Sequence, residues 1–206
     1  MTTAARDPIR AYRPGDRAAL YAVCLQTAAA GGDATALHRD PSLPGEVWVG
    51  PYVDLEPGLA FVLDEGAGAG AQGYVIGSLD TRAFEERRDA EWMPRLQRLH
   101  PADEFEPDTR DAALVRLMHQ PMVAPEVVVR DFPSHLHIDL LPRWQGGGWG
   151  RRLIATLLSR LTERGSSGVF LGVSPENEHA VGFYRHLGFE PVSTDGGLWL
   201  ARSLGA

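Results

Sequence analysis

Two side chains that can carry a proton stand one residue apart in an apolar run. His137 and Asp139 alternate with Leu136, Ile138 and Leu140, so on an extended strand both project from the same face. A carboxylate on a buried strand needs a hydrogen-bonding or charged partner or has a functional role, because an unpaired charge is costly to desolvate. Asp139, directly or through a water molecule, is therefore a candidate general base, with His137 as an alternate or an orienting group. The competing interpretation is a buried His–Asp pair in which the two side chains only satisfy each other.

A glycine-rich segment follows this run almost immediately. Residues 145–150 read QGGGWG and precede a stretch with helical periodicity. A dinucleotide fingerprint, Gly-x-Gly-x-x-Gly, fails here, because its last position is Arg151 when counted from Gly146 and Leu153 when counted from Gly148. A nucleotide P-loop is excluded because no Lys-Ser/Thr pair follows. A strand, a glycine loop and a helix N-terminus remain, and that geometry binds anions through backbone amides.

The charges around the glycine loop fit the same interpretation. Arg143, Arg151 and Arg152 surround it, and no acidic residue follows until Glu163. A helix N-terminus disfavours cations, so these arginines are explained if an anionic group binds between them. The alternative is that they point to solvent.

The elements that must position these residues form a recognisable unit. Residues 136–141 and the continuous apolar run 168–173 are joined by a helix with a leucine-rich stripe that stops at Gly165. Near-continuous apolar strands joined in this way predict a parallel βαβ unit. A second helix is expected over about 177–187, and weak strands over 190–193 and 197–201.

The N-terminal half predicts further strands and helices. Alternation predicts a short strand at 9–13. Two further strands are expected at 58–64 and 72–79, joined by a flexible Gly/Ala hairpin. A helix is expected from Asp16 to about Ala30, closed by Gly31-Gly32. Residues 33–57 are expected to form loop and short helical turns, and the charged stretch 82–120 two helices, near 82–99 and 108–119, broken at His100-Pro101.

Composition narrows the class of protein. The chain has 206 residues and a formal net charge of −7, which argues against a general nucleic-acid binder. Cys24 is the only cysteine, so an internal disulfide and a thiolate metal cluster are excluded, and its apolar helix face predicts a small buried side chain. No metal site is expected, because His137-x-Asp139 lacks a third ligand. The polar start and the lack of a membrane-length apolar stretch predict a cytoplasmic protein without membrane contact.

The glycine segment also resembles a family signature. Residues 145–150 are similar to the Gln/Arg-x-x-Gly-x-Gly/Ala motif of the GCN5-related N-acetyltransferases (GNAT). LGVSPENEHAVGFYRHLGFEPV, residues 171–192, resembles the next strand and helix of that family, so the resemblance covers about 134–192. The segments HIDLLP, GWGRRL and LGVS also resemble the acetyltransferase-like C-terminal domain of O-GlcNAcase and its bacterial relatives.

The resemblance implies an α/β (α+β) fold. A GNAT fold has a central mixed sheet of about six to seven strands flanked by helices, here with a helical insertion between strands 3 and 4. A single domain over 1–206 is implied, with N-terminal strands and helices over 1–81, the insertion over 82–120 and an acetyl-CoA-binding core over 134–192.

The resemblance also implies acetyl-CoA as the cofactor and assigns residues to it. The loop amides would hold its pyrophosphate, and the backbone of Asp139, Leu140 and Leu141 would pair with its pantetheine arm. Asn177 would hydrogen-bond that arm or cap its own helix, and the Tyr184 hydroxyl would face the sulfur as general acid. The implied cofactor-binding residues are Leu140, Leu141, Gln145, Gly146, Gly147, Gly148, Trp149, Gly150, Arg151, Asn177 and Tyr184.

The implied activity is direct acetyl transfer to a primary amine, on a small molecule, a lysine or an N-terminus. One alternative is a non-catalytic acyl-CoA-binding or protein-interaction module that keeps the fold without turnover, and a weaker one is a hydroxyl acceptor. A covalent route through Cys24 is not indicated, because no His and orienting acid stand beside it. Dimers are frequent in the family, which leaves a homodimer open.

Overall fold

The computed structural model describes residues 7–66, 68, 70–194 and 196–205. The polar start of the chain therefore lies partly, over residues 1–6, outside the described residues. Within the described part, seven strands form one mixed sheet in the order β1-β2-β3-β4-β5-β7-β6, which confirms the expected sheet of six to seven strands. The strands are β1 (Ile9–Ala11), β2 (Ala60–Asp64), β3 (Ala71–Ser78), β4 (Ser134–Leu140), β5 (Gly168–Val173), β6 (Glu190–Val192) and β7 (Leu198–Ser203).

The sheet changes character at its centre. β1 to β4 pair antiparallel in chain order, and β7 pairs antiparallel with both β5 and β6. β4 and β5 run parallel, as the βαβ pattern predicts, and a helix connects them. Helices pack against both faces of the sheet. They are α1 (Arg17–Leu25), α2 (Leu43–Trp48), α3 (Gly50–Leu55), α4 (Thr81–Arg87), α5 (Met93–Leu99), α6 (Arg110–His119), α7 (Glu126–Val129), α8 (Trp149–Glu163) and α9 (Glu178–His186). Along the chain, α4 to α7 lie in the insertion between β3 and β4.

The central parallel pair is incomplete. β4 and β5 are paired only at Ser134↔Val169 and His135↔Phe170. β4 continues to Leu140 and β5 to Val173, so the two strands separate beyond their first residues. The sheet is therefore split at its middle, toward the carboxyl ends of both strands.

Two apolar cores hold the sheet between the helices. The leucine stripe of α8 is buried against the face that contains Val75 and Leu136, as its helical spacing predicts. The opposite face, with Tyr74 and Ile76, packs against α1 and α3. The side chains of His137 and Asp139 share this second face, because side chains alternate along β4.

The insertion between β3 and β4 is helical, as expected. The helix predicted over 82–99 is present as α4 and α5, joined by a π-helical segment, Arg88–Trp92. α5 and α6 bury Leu96 and Met118 against α2 in a third core. The sequence pattern does not predict the short helix α7.

The first helix ends earlier than its sequence predicts. α1 stops at Leu25 rather than Ala30, and the prediction for its end is wrong. The chain turns back, with the Ala34 amide bonded to the Leu25 carbonyl at 3.0 Å, and Ala30 takes a positive φ of 52°. Asn177, far along the chain, donates a hydrogen bond to the Ala30 carbonyl of this turn at 3.3 Å. No helix in the described part of the chain is long and apolar enough to cross a membrane.

Candidate active site

The split between β4 and β5 opens into the main cleft of the protein. Its volume is about 1720 Å³. One end is bordered by the glycine loop before α8 and by the start of α9, and the other by α3, α4 and the π-helical segment. β4 also lines the cleft, and His137 and Asp139 are among its lining residues.

Backbone groups of β4 face the split. The Leu141 amide donates to the Gln72 carbonyl at 3.0 Å, so Asp139 and Leu141 direct their backbone groups toward β3, because alternate residues of a strand pair with opposite neighbours. Ile138 and Leu140 therefore direct theirs into the split, past the end of the β5 ladder. The Leu140 carbonyl accepts a hydrogen bond from Gln145 Nε2 at 2.9 Å, which ties the glycine loop to the strand.

The glycine loop is open toward the cleft. Gly146 and Gly148 have φ values of 74° and 80°, a region that favours glycine, and an added Cβ at either position would meet nothing within 4 Å. Gly148 is the residue from which α8 starts. The first amides of a helix have no partner within it, so those at the start of α8 can bind an anion.

Gly150 has a different role from its neighbours in the loop. A Cβ there would lie 3.0 Å from the Phe183 ring, closer than ordinary van der Waals contact. The missing side chain lets α9 cross near the start of α8, which brings Tyr184 to the cleft.

The three arginines around the loop divide between two roles. Arg152 pairs with Asp7 at 2.9 and 3.0 Å and lies over the Trp149 ring. Arg143 hydrogen-bonds Gln72 and reaches Glu65 at 3.5 Å. These two arginines therefore have protein partners, and the binding of an anion between the three arginines stays a prediction. Arg151 lines the cleft.

Asp139 is held by a tyrosine rather than by a histidine. The Tyr74 hydroxyl donates a hydrogen bond to Asp139 Oδ2. Burial raises the pKa of Asp139 to about 6, an effect that hydrogen bonds from Tyr74 and Thr27 oppose. A self-satisfied His137–Asp139 pair is not what forms, and the carboxyl titrates close to neutrality.

The two histidines of β4 differ in their environment. The Thr81 hydroxyl donates to the Pro133 carbonyl at 2.7 Å, so its oxygen accepts from His135 Nδ1 at 2.8 Å, and the Tyr52 hydroxyl donates to His135 Nε2 at 2.8 Å. Burial lowers the pKa of His135 to about 3, which fits a neutral structural residue. Burial lowers the pKa of His137 to about 4, and His137 lies beside the Tyr52 ring on the cleft wall.

Tyr184 and Asn177 come from α9 and the turn before it. The Tyr184 ring is 8% exposed and packs against Phe183 and Phe189, while the residue lines the cleft. Burial, and then the charge of Asp139, raise the pKa of Tyr184, so its hydroxyl keeps its proton at neutral pH. Asn177 Oδ1 accepts from the Ala180 amide at 3.0 Å, which is the helix cap that its sequence position suggests.

Most predicted site residues meet in this cleft. Those that line it are His137, Asp139, Leu140, Gln145, Gly146, Gly148, Gly150, Arg151, Asn177 and Tyr184. Leu141, Gly147 and Trp149 lie outside the lining. Within the described part of the chain, no group of three or more His, Cys, Asp and Glu side chains could hold a metal ion.

The sequence does not single out two further residues at the candidate site. Tyr74 faces Asp139 across β3 and β4, but a tyrosine in an apolar strand is typical of any core. Arg88 lines the cleft from the insertion, where it is one of many charged residues. The strand register and the π-helical turn that place them have no local sequence signal.

Comparison with known proteins places this architecture in a family. The sequence model described as the acetyltransferase (GNAT) family matches residues 123–189. The crystal structure of SsHAT is 43% identical in sequence, superposes with a TM-score of 0.88, and covers 96% of this chain and 98% of that one. A phosphinothricin acetyltransferase of the GNAT superfamily from Sinorhizobium meliloti, in complex with AcCoA, is 14% identical with a TM-score of 0.56 over 96% of this chain and 88% of that one, and therefore shares the fold.

A longer relative matches as well. Protein O-GlcNAcase of Rattus norvegicus is 29% identical over 191 residues, which is 91% of this chain and 20% of that protein. The chain thus spans about a fifth of the length of the curated O-GlcNAcase relatives it matches. The resemblance inferred from the glycine segment is confirmed, and the chain belongs to the acetyltransferase (GNAT) family of acyltransferases.

Proposed function

We propose that the protein transfers an acetyl group from acetyl-CoA directly to a primary amine, as a single acetyltransferase domain. The observation that carries the proposal is the separation of β4 and β5 beyond His135 and Phe170. It opens a cleft in which an anion-binding loop, a carboxyl with a pKa near 6 and a protonated tyrosine border the same space. Acetyl transfer to an amine needs these three features together.

The cleft fits acetyl-CoA at two places. Open space at Gly146 and Gly148 lets a pyrophosphate approach the amides at the start of α8, with Arg151 beside it. The backbone groups of Ile138 and Leu140 that face the split can pair with the amides of a pantetheine arm, as an added strand would. The acetyl-CoA complex of the Sinorhizobium meliloti enzyme, which shares this fold, supports the assignment.

Asp139 is the general base in this proposal. When bound, acetyl-CoA supplies the thioester whose acetyl group is transferred. Asp139 accepts a proton from the amine nitrogen, directly or through a water molecule. A carboxyl with a pKa of about 6 is ionised at neutral pH and is a stronger base than His137, whose pKa is about 4.

Backbone amides and Tyr184 serve the other half of the reaction. The N–H of Ile138 or Leu140 donates to the thioester oxygen as negative charge develops on it. Tyr184, which burial and the Asp139 charge keep protonated, gives its hydroxyl proton to the leaving sulfur. One proton therefore leaves the amine and one reaches the thiol, so that the transfer balances.

Two measurements, made one after the other, test the proposal. Calorimetric titration of acetyl-CoA into the protein is expected to show binding at one site per chain. Release of free thiol is then followed with a panel of small amines, aminosugars and lysine peptides, and with matched alcohols as controls. Thiol release that needs an amine supports the proposal.

Other results of the two measurements would favour one of the alternative functions. Binding without turnover on any acceptor would favour the non-catalytic acyl-CoA-binding module. Turnover with the alcohols alone would favour a hydroxyl acceptor. Absence of acetyl-CoA binding would overturn the proposal and the module alike.

A further inference from the structure

Arg88 is buried without a full set of partners. It opens the π-helical segment Arg88–Trp92, and its side chain is only 12% exposed. Nε donates to Asp89 Oδ1 at 2.7 Å, but the buried Nη2 has no hydrogen-bond partner among the described residues. A buried charged donor left unpaired is costly, and π-helical turns are frequent at functional sites.

Arg88 stands at the end of the cleft away from the glycine loop. Trp48, Tyr52, Phe84 and Met122 line the cleft beside it and also enclose a small side pocket of about 40 Å³. The surroundings are apolar and aromatic, so the guanidinium is poorly screened by water.

Glu85, three residues before Arg88 and also on the cleft lining, is already engaged. Glu85 Oε1 accepts from the Ala124 amide at 2.7 Å, and Oε2 accepts from Arg82 Nη1 at 2.6 Å. Glu85 therefore belongs to a local pair with Arg82, and Asp89 occupies only the Nε of Arg88, so Nη2 is left without a partner among the described residues.

We propose that Arg88 binds a carboxylate of the acceptor, so that the substrate is an amine that also carries a carboxylate. The inference rests on the proposed amine acetylation for the position of the amine. A carboxylate is the planar anion that a guanidinium recognises best. One free guanidinium edge among aromatic walls suits a single carboxylate better than a phosphate dianion.

The separation of the two charges follows from the strand. Arg88 lies close enough to His135 for its charge to favour the neutral imidazole, and the amine lies at Asp139. Four residues of strand span about 13 Å. An amine and a carboxylate on one carbon cannot bridge that span, whereas a chain of several methylenes, as in 6-aminohexanoate or the side chain of lysine, comes much closer once both protein side chains reach inward.

The test is a binding measurement that does not depend on turnover. The protein saturated with coenzyme A is titrated by calorimetry with 6-aminohexanoate, hexylamine and 6-aminohexyl phosphate. Loss of one charge-assisted hydrogen bond is worth about 10- to 100-fold in affinity, so 6-aminohexanoate is expected to bind at least about tenfold more tightly than hexylamine. Arg88→Gln is expected to remove that preference and Arg88→Lys to keep part of it.

Arg87→Gln is the matched control, because Arg87 is the exposed neighbour that pairs with Glu91; it is expected to keep the preference. Thermal unfolding of each variant verifies the fold. Equal affinity for 6-aminohexanoate and hexylamine, no binding of 6-aminohexanoate, or a preference that survives in Arg88→Gln would overturn the inference. Tighter binding of 6-aminohexyl phosphate than of 6-aminohexanoate would also overturn the inference, because it would indicate that Arg88 binds a phosphate. Thiol release tests the proposed function separately, so the two failures are distinguishable.

Discussion

The Tyr74 hydroxyl donates a hydrogen bond to the carboxylate of Asp139, and the two residues face each other in register on β3 and β4. Burial raises the pKa of Asp139, while the bond from Tyr74 favours the ionised form and lowers it, for a result of about 6. The strand pair thus holds the proposed base and sets the pH range in which its carboxyl ionises.

The pKa of Asp139 and its hydrogen bond from Tyr74 therefore lead to a prediction for the pH dependence of the reaction. With an acceptor amine of low pKa, kcat/KM is expected to rise with pH and level off above about 6, because only the ionised carboxylate accepts a proton. Asp139→Asn is expected to lower kcat at least about 100-fold. Tyr74→Phe keeps the carboxylate but removes the bond that favours its charge, so the rise is expected at higher pH. An unmoved profile in Tyr74→Phe, or full activity in Asp139→Asn, would contradict the role of Asp139.

The same carboxyl is expected to cost stability. The pKa of Asp139 is higher in the folded protein than its usual value of 3.8, so the folded state is favoured when the group is protonated and loses that advantage as pH rises through about 6. Asp139→Asn is expected to unfold at higher denaturant concentration than the wild type at neutral pH, by up to about 3 kcal/mol in the free energy of unfolding. The difference is expected to shrink below pH about 4, and a difference independent of pH would count against the pKa shift.

Gly148 tests the anion site. Gly148→Asp places a side chain and a negative charge where the pyrophosphate would lie, and it is expected to abolish acetyl-CoA binding in calorimetry. Gly165→Asp is the matched control, since Gly165 has φ of 84° and equally open surroundings at the far end of α8. Both variants are expected to lose on the order of 1 kcal/mol of stability to backbone strain. Normal acetyl-CoA affinity in Gly148→Asp would rule out the loop as the phosphate site.

Replacement of Tyr184 tests its proposed role as the general acid. Tyr184→Phe keeps the ring that packs against Phe189 and removes only the hydroxyl. It is expected to lower kcat about 10- to 100-fold with acetyl-CoA affinity unchanged. Stopped-flow measurement of thiol release distinguishes this from slow product release, and an unchanged chemical rate would refute the role.

The central motif could be predicted from sequence because its signals are local. The alternation around Asp139, the glycines at 146–150 and the leucine stripe of α8 each depend on neighbours within a few residues. Together they predict the parallel unit and the part of the cleft lining that belongs to β4 and the glycine loop.

What could not be predicted depends on distant contacts. Asp139 meets Tyr74 only through the register of β3 and β4, and the turn after α1 is bonded through Ala30 to Asn177. Arg143 and Arg152 are explained by Glu65 and Asp7, which lie far away in sequence. Burial of Arg88 requires the packing of the whole insertion, which a charged helical stretch does not reveal.

The most direct test of the proposed reaction is the release of free thiol from acetyl-CoA by the wild-type protein and by Asp139→Asn, with and without an amine acceptor. The structure predicts release by the wild type that requires the amine and falls at least about 100-fold in Asp139→Asn. Acetyl-CoA binding without amine-dependent release in the wild type would contradict the account and leave a protein that binds the cofactor without catalysis.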